Sequence, residues 1–278
     1  MQERVIAGDP DGHGFRWTDV EAPTPDEMRA LYGRLGLPAH LPAEEPRTTR
    51  PAVFEEEGFV FVTLVGASGD GLGAVRCLVG PDWLLTIHAH PLDGLDAMAR
   101  TATSPATGLA ALAKGLVTGI VDAVGRLDDE VAQLEQGRSG DSTALRRRLG
   151  NIRQAVLTQR DVLTRLGGED GPAPRDDPAS RSLRNSAERL AGVGVEVESL
   201  REAIHDATTD RQNEVVKRLT VVAAVFLPLT FITGFFGQNF GWLVGEVDGA
   251  GAFLLLGIVL PVAVVLLLFG LLARSGWL

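Results

Sequence analysis

Two stretches of the 278-residue chain carry no charged side chain: residues 219–236, LTVVAAVFLPLTFITGFF, and residues 250–273, AGAFLLLGIVLPVAVVLLLFGLLA. As helices rising 1.5 Å per residue they would extend roughly 27 and 36 Å, on either side of the ~30 Å hydrocarbon thickness of a bilayer. The second run has no polar face, which argues against a pair of helices buried in a soluble core. Both are therefore read as membrane spans. Hydrophobic residues make up 45% of the chain beside 22% charged, because the apolar content is concentrated in these runs.

Charge is divided unevenly along the chain. Residues 1–103 hold 8 basic and 16 acidic side chains, residues 104–237 hold 17 and 18, and the remainder 1 and 2. The acidity belongs to the N-terminal part, as a solvated surface or as a field that gathers cations near a pore. The same balance disfavours nucleic acid as a partner. Arg211, Lys217 and Arg218 precede the first span and Arg274 follows the second, whereas residues 237–249 between them contain Glu246 and Asp248 but no Lys or Arg. Basic residues mark the cytoplasmic side, so both termini are expected in the cytoplasm of a multi-pass protein of the cell (plasma, or inner) membrane. The opening MQERVIAGDPDG lacks the basic-then-apolar pattern of a signal peptide, in keeping with that orientation. A single cysteine, Cys77, leaves no intrachain disulfide and no multi-thiolate metal site.

Residues 1–103 read as a small α/β domain. FRWTDV, FVFVTLV and WLLTIHA have strand character, and PTPDEMRALYGRLG has helix spacing behind an initiating proline. Residues 104–178 read as a helical hairpin, with helices at about 106–136 and 142–166, followed by the breaker-rich linker GGEDGPAPRDDP. One helix is then expected over 179–236, a stalk that continues into the first span. An external loop, 237–249, the second span, 250–273, and a cytoplasmic tail, 274–278, complete the chain. Within the stalk Leu183, Leu190, Val197 and Ile204 recur every seven residues, with Val193 and Leu200 between them. Such a seam packs against helices of its own subunit or supports symmetric association around an axis.

Further along the same helix, Asn213, Val216, Thr220, Ala223, Leu227, Thr230 and Gly234 fall on one side at 3.6 residues per turn. None is charged or aromatic. Glu202 and Asp206 extend this face toward the cytoplasm, while Lys217 and Arg218 point well away from it. The face suits the lining of a water-filled path, although small residues also allow close helix packing in a membrane. At its outer end Gly237-Gln238-Asn239 releases the helix. An amide oxygen offers a lone pair to a cation or its water shell without a full charge. Mg²⁺ dehydrates reluctantly, so a ring of such oxygens selects a hydrated ion by hydrogen bonds to its waters. A Gly-Asn pair is also an ordinary helix C-cap.

The residues Asn213, Lys217, Leu219, Thr220, Phe226, Pro228, Leu229, Thr230, Phe231, Ile232, Gly234, Phe236, Gly237, Gln238, Asn239 and Phe240 stand in the order and spacing of a family signature. The chain resembles the CorA-type divalent cation transporters, the two-transmembrane GxN family. Less specific likeness extends to RPAVFEEEGFVFVTL, VGPDWLLTIH and the final Trp277-Leu278. The resemblance implies an α+β membrane protein forming a funnel-shaped homopentamer, in which five copies of the stalk helix enclose the pore, the second span rings it and α/β domains surround it in the cytoplasm. It also implies residue roles. Asn239 and Gly237 would form the outer selectivity ring, Thr230 and Gly234 the upper pore, Leu227 and Leu219 its narrow apolar parts, and Asn213 the inner mouth. Glu202 is similar to an acidic position low in the funnel, and Asp177 is the candidate for a regulatory Mg²⁺ site between subunits. Gln238 stands where the family commonly has Met, and Phe236 where it has Tyr.

These readings predict a divalent cation transporter for Mg²⁺, with Co²⁺ and Ni²⁺ as further cargo, needing no organic cofactor. Zinc transport within the same family and a non-conducting membrane scaffold are the alternatives. An enzyme is not expected. GLAALAKG at 108–115 departs from a phosphate loop and sits in a helical pattern. His88-Ala89-His90 has a spacing able to hold a metal, but as a lone pair it reads better as a surface strand end.

Overall fold

The computed structural model describes residues 2–7, 15–43, 50–69, 71–137, 141–169, 171–238, 245 and 249–275. It divides into two compact units, Met1–His205 and Asp206–Leu278. The first contains strands β1 (Gln2–Ala7), β2 (Arg16–Glu21), β3 (Ala52–Glu56), β4 (Phe59–Ser68), β5 (Gly71–Val79) and β6 (Trp83–His88). Its helices are α1 (Pro25–Arg34), α2 (Leu95–Thr101), α3 (Pro105–Glu135), α4 (Ser142–Leu166) and the first part of α5 (Pro178–Phe236). The second unit holds the rest of α5 and a helix α6 over Ala250–Arg274.

The sheet order is β1-β2-β6-β5-β4-β3, with only the β2–β6 pair parallel. Six strands replace the three expected from the sequence. Of the three missed, β5 (GLGAVRCLV) is an inner strand whose two glycines weaken the strand pattern, while β1 and β3 are the two edges, and QERVIA and AVFEE carry the charges that edge strands use against further pairing. Alternate residues serve two cores. Val20, Phe59, Phe61, Leu78, Leu85 and Ile87 meet Met28, Leu31 and Tyr32 of α1 on one face. Trp17, Val62, Leu64, Val75, Cys77 and Leu84 meet α3, α4 and α5 on the other. The hairpin and the sheet thus share one core.

Helix starts follow directly from local sequence. Thr24 and Glu27 form a reciprocal capping box ahead of Pro25, and Ser104 with Thr107 does the same ahead of Pro105. The α3 and α4 bounds lie within one residue of the pattern-based ones. α3 is also long and apolar enough to cross a membrane, yet half of its apolar window is buried against the sheet, so it is a core helix. The glycine that opens GLAALAKG is explained by packing. A Cβ on Gly108 would stand 2.9 Å from Leu84 Cδ2 and 3.3 Å from Trp17 Cε3.

One side chain takes the place of a missing strand. β3 begins at Ala52, opposite Thr63, and Pro51 before it has no N–H to offer. Two residues further along β4, Gln159 of α4 accepts from the Val65 N–H at 2.6 Å and donates from Nε2 to the Val65 carbonyl at 3.1 Å. Gln159 is 0% exposed, so its amide satisfies two backbone groups that water does not reach.

The heptad seam is used inside the chain. Leu183, Leu190, Val193, Val197, Leu200 and Ile204 are all buried in the core shared with α3 and α4, which leaves them unavailable for association around an axis.

In the second unit, α6 is α-helical at Ala250–Ala252, π-helical over Phe253–Val259 and α-helical again over Leu260–Arg274. Pro261 explains the wide turns. Its ring would collide with the carbonyl four residues back and it has no N–H, so bonding to the fifth residue relieves the conflict, as the Leu260 N–H does with the Leu255 carbonyl.

Candidate transmembrane conduction site

The seven residues of the expected pore face, Asn213, Val216, Thr220, Ala223, Leu227, Thr230 and Gly234, all lie on α5 within the second unit, and all are exposed. Leu219, at the edge of this face, is 64% exposed. A second stripe on α5 is half-buried: Val221, Ala224, Val225, Pro228, Leu229, Ile232 and Phe236. At 100° per residue its centre lies about 145° around the helix from the centre of the exposed face. α6 carries a matching half-buried stripe, Leu256, Leu260, Val264, Val265, Leu268 and Leu272, around the buried Pro261. The polar face is exposed, as are Val222, Phe226, Phe231 and Phe235 on other parts of the same helix.

The threonines on that face have a defined polarity. Thr220 Oγ1 donates to the Val216 carbonyl and Thr230 Oγ1 to the Phe226 carbonyl, both at 2.8 Å. A hydroxyl whose only proton is tied to its own helix presents lone pairs outward. The face is thus acceptor-rich without a formal charge, which is what a cation's water shell requires. Pro228 lies within α5 and has no N–H for the carbonyl four residues back. That proline is on the half-buried stripe.

α5 ends at Phe236. The Gly237 N–H still reaches the Thr233 carbonyl at 3.0 Å and the Gln238 N–H reaches the Phe235 carbonyl at 3.3 Å. Gly237 is not among the glycines with positive φ, so the helix does not end in the left-handed turn of an ordinary glycine cap. Gly237 and Gln238 are both exposed. Asn239, the expected third member of the ring, lies outside the described residues, as do Phe240, Glu246, Asp248 and Trp277-Leu278.

The two candidate carboxylates for metal, Asp177 and Glu202, belong to the first unit. Asp177 is the N-cap of α5, its Oδ1 accepting from the Ala179 N–H at 2.7 Å and its carbonyl from the Arg181 N–H at 3.1 Å. Glu202 is exposed. Among the described residues no group of three or more His, Cys, Asp or Glu side chains is placed to hold a metal ion.

His88 corrects an expectation. It is not at the surface but 4% exposed, with Nε2 3.1 Å from Asp19 Oδ1 and Nδ1 2.7 Å from the His90 carbonyl. With both ring nitrogens engaged, and His90 contributing its backbone, the pair is not a metal chelate. Thr86 Oγ1 donates to Asp19 Oδ1 at 2.5 Å, and Trp17 Nε1 donates to Thr86 at 3.1 Å. Burial alone would lower the imidazole pKa; the hydrogen bond and charge of Asp19, then the His90 carbonyl, outweigh it and leave His88 above its ordinary value. Sequence spacing could not reveal this network, because Asp19 and His88 meet only through the parallel β2–β6 register. Burial pushes the Cys77 thiol up, so it is an inert core residue.

Comparison with known proteins agrees with this architecture. The zinc transport protein ZntB of Yersinia pseudotuberculosis is 32% identical over 181 residues, 62% of this chain and 54% of that protein, so the match spans about half the relative's length. ZntB of Pectobacterium atrosepticum is 26% identical over 257 residues, 82% of this chain and 78% of that protein. The complete structure of the CorA magnesium transporter from Methanocaldococcus jannaschii superposes with a TM-score of 0.68 at 19% identity, covering 95% of this chain and 92% of that one. That likeness is one of fold: an N-terminal α/β domain with long helices. The family profile described as CorA-like Mg²⁺ transporter protein matches residues 12–274. With that match spanning nearly the whole sequence, the chain belongs to the CorA-like family of ion transporters.

Proposed function

We propose that five copies of this chain assemble around α5 into a channel that passes divalent cations into the cytoplasm, with Mg²⁺ as the cargo and Co²⁺ and Ni²⁺ as companions. One observation carries the reading: an exposed face of α5 is uncharged and free of aromatics, and its threonine protons are turned inward. Around a symmetry axis, that face would line a wet path in which Leu219 and Leu227 are narrow apolar sections. Asn213 would stand at the inner mouth, and Gly237, Gln238 and Asn239 would ring the outer one. Hydrated cations would be selected there by amide and carbonyl oxygens. Both termini would lie in the cytoplasm of the plasma membrane. The membrane potential supplies about 2.3 kcal/mol per charge per 100 mV, hence roughly 4.6 kcal/mol for a dication, which suffices for uptake without ATP. Glu202 and Asp177 are the carboxylates proposed to meet Mg²⁺ on the cytoplasmic side, Asp177 in a regulatory role.

Zn²⁺ is the second reading, favoured by the two relatives that are named zinc transport proteins. The deciding experiment is flux into proteoliposomes with Mg²⁺, Co²⁺, Ni²⁺ and Zn²⁺ in competition, with and without a proton gradient, on the wild type and on Asn239→Ala. Mg²⁺ uptake that outcompetes Zn²⁺ and is lost in Asn239→Ala is the expected result. Zn²⁺ preference would transfer the cargo to the second reading. Wild-type Mg²⁺ flux in Asn239→Ala would remove the selectivity ring.

A further inference from the structure

The first turns of α5 and the middle of α3 border an open pocket of about 440 Å³ inside the Met1–His205 unit. Its lining runs against the formal charge of −10 carried by the chain. Lys114, Arg181 and Arg189 border it with Ser182, Asn185 and Ser186, and no carboxylate lines it among the described residues. None of the three cations forms an ion pair among the described residues; Arg189 donates only to the neutral Thr118 Oγ1, at 3.1 Å. By contrast Arg148, Arg153 and Arg160 of the same unit are paired with Glu130, Glu198 and Asp161.

A second feature is independent of charge. Ser186 is 5% exposed and lines the pocket, yet its hydroxyl has no hydrogen-bond partner among the described residues. The hydroxyls of Thr118, Thr158 and Thr164 on the neighbouring helices each return to the carbonyl four residues back. A hydroxyl open to the pocket beside three cations without ion pairs suits an oxygen acceptor.

We infer that this pocket binds a phosphate-bearing anion of two or more negative charges, either inorganic diphosphate or the diphosphate of a nucleotide. Guanidinium forks match the paired oxygens of a phosphoryl group, Lys114 adds a point charge, and the serine and asparagine side chains supply neutral donors. Among the described residues Val117 and Pro178 alone line it with apolar side chains, too few to hold a large ring, so recognition rests on the phosphates. The inference does not depend on the cation cargo.

Isothermal titration calorimetry on the full-length protein in detergent tests it, with sodium diphosphate, ADP and sodium sulfate in separate arms. Saturable binding of diphosphate or ADP at one site per chain is expected. Arg181→Gln on α5 and Lys114→Gln on α3 should each weaken it about tenfold, the loss of one charged hydrogen bond. Arg29→Gln, on the opposite side of the sheet, should leave it unchanged. Tighter ADP than diphosphate would identify a nucleotide as the source, and the reverse a free diphosphate. No saturable binding of either, sulfate binding as tightly as diphosphate, or unchanged affinity in both pocket variants overturns the proposal.

Discussion

Gln159 offers the most direct test of the packing in the first unit. Its amide engages both the N–H and the carbonyl of Val65 where β3 has ended, and it is 0% exposed. Gln159→Leu keeps the side chain's approximate volume and leaves two buried backbone groups without partners. Each such group costs about 1–3 kcal/mol, so the variant should lose roughly 2–6 kcal/mol. For a unit of this size 1 kcal/mol corresponds to about 2–4 °C, which puts the fall in Tm between roughly 4 and 24 °C. Gln159→Glu should also destabilise, because it retains the acceptor for Val65 N–H but loses the donor for its carbonyl and buries a charge. Gln154→Leu, on an exposed position of the same helix, should change stability by no more than about 0.5 kcal/mol. Differential scanning calorimetry of the full-length protein in detergent reads all three. If Gln159→Leu melts within a degree or two of wild type, water reaches Val65 and the strand-replacement reasoning is wrong.

Removing an outward lone pair from the α5 face should slow cation flux: Thr230→Val is expected to reduce it roughly two- to tenfold, whereas Thr233→Val, well around the helix from that face, leaves it unchanged in the proteoliposome assay. The raised His88 pKa adds stability that is fully present below its ordinary value of 6.5 and is lost as pH climbs through the folded value. Chemical denaturation across that range should show this decline, and His88→Gln should flatten it. For Asp177 the two roles separate cleanly, since asparagine caps as well as aspartate does. Asp177→Asn should match wild-type stability while Asp177→Ala loses about 1 kcal/mol, and an unchanged response to cytoplasmic Mg²⁺ in Asp177→Asn would exclude the carboxylate from regulation.

Features set by residues close in sequence could be read before any coordinates. The two apolar runs, the capping grammar of Thr24-Pro25 and Ser104-Pro105, and the helix bounds near 105 and 166 all depend on local steric and hydrogen-bonding rules. The exposed face of α5 was legible for the same reason, because a single helix carries all of it. Its half-buried counterpart was not, since burial depends on contacts that the spacing along a single helix does not encode. Gln159 looked like one more polar residue in a basic helix, and only the short reach of β3 gives it a purpose. Asp19 and His88 lie 69 residues apart and become neighbours through strand register. The basic pocket likewise joins α3 to α5 across a long connection. The π-helical turns ahead of Pro261 escaped because a proline in an apolar run predicts trouble for the helix but not which remedy it adopts.

All members of both hydrophobic cores precede Asp206. A ribosome adding roughly 5–20 residues per second therefore finishes the whole interior of the first unit seconds before α6 emerges. Synthesis order thus separates two hazards that a membrane protein normally faces together. The residues that close the sheet are all made before either apolar run, 219–236 or 250–273, so burial of the strands and insertion of the spans draw on different parts of the chain at different times.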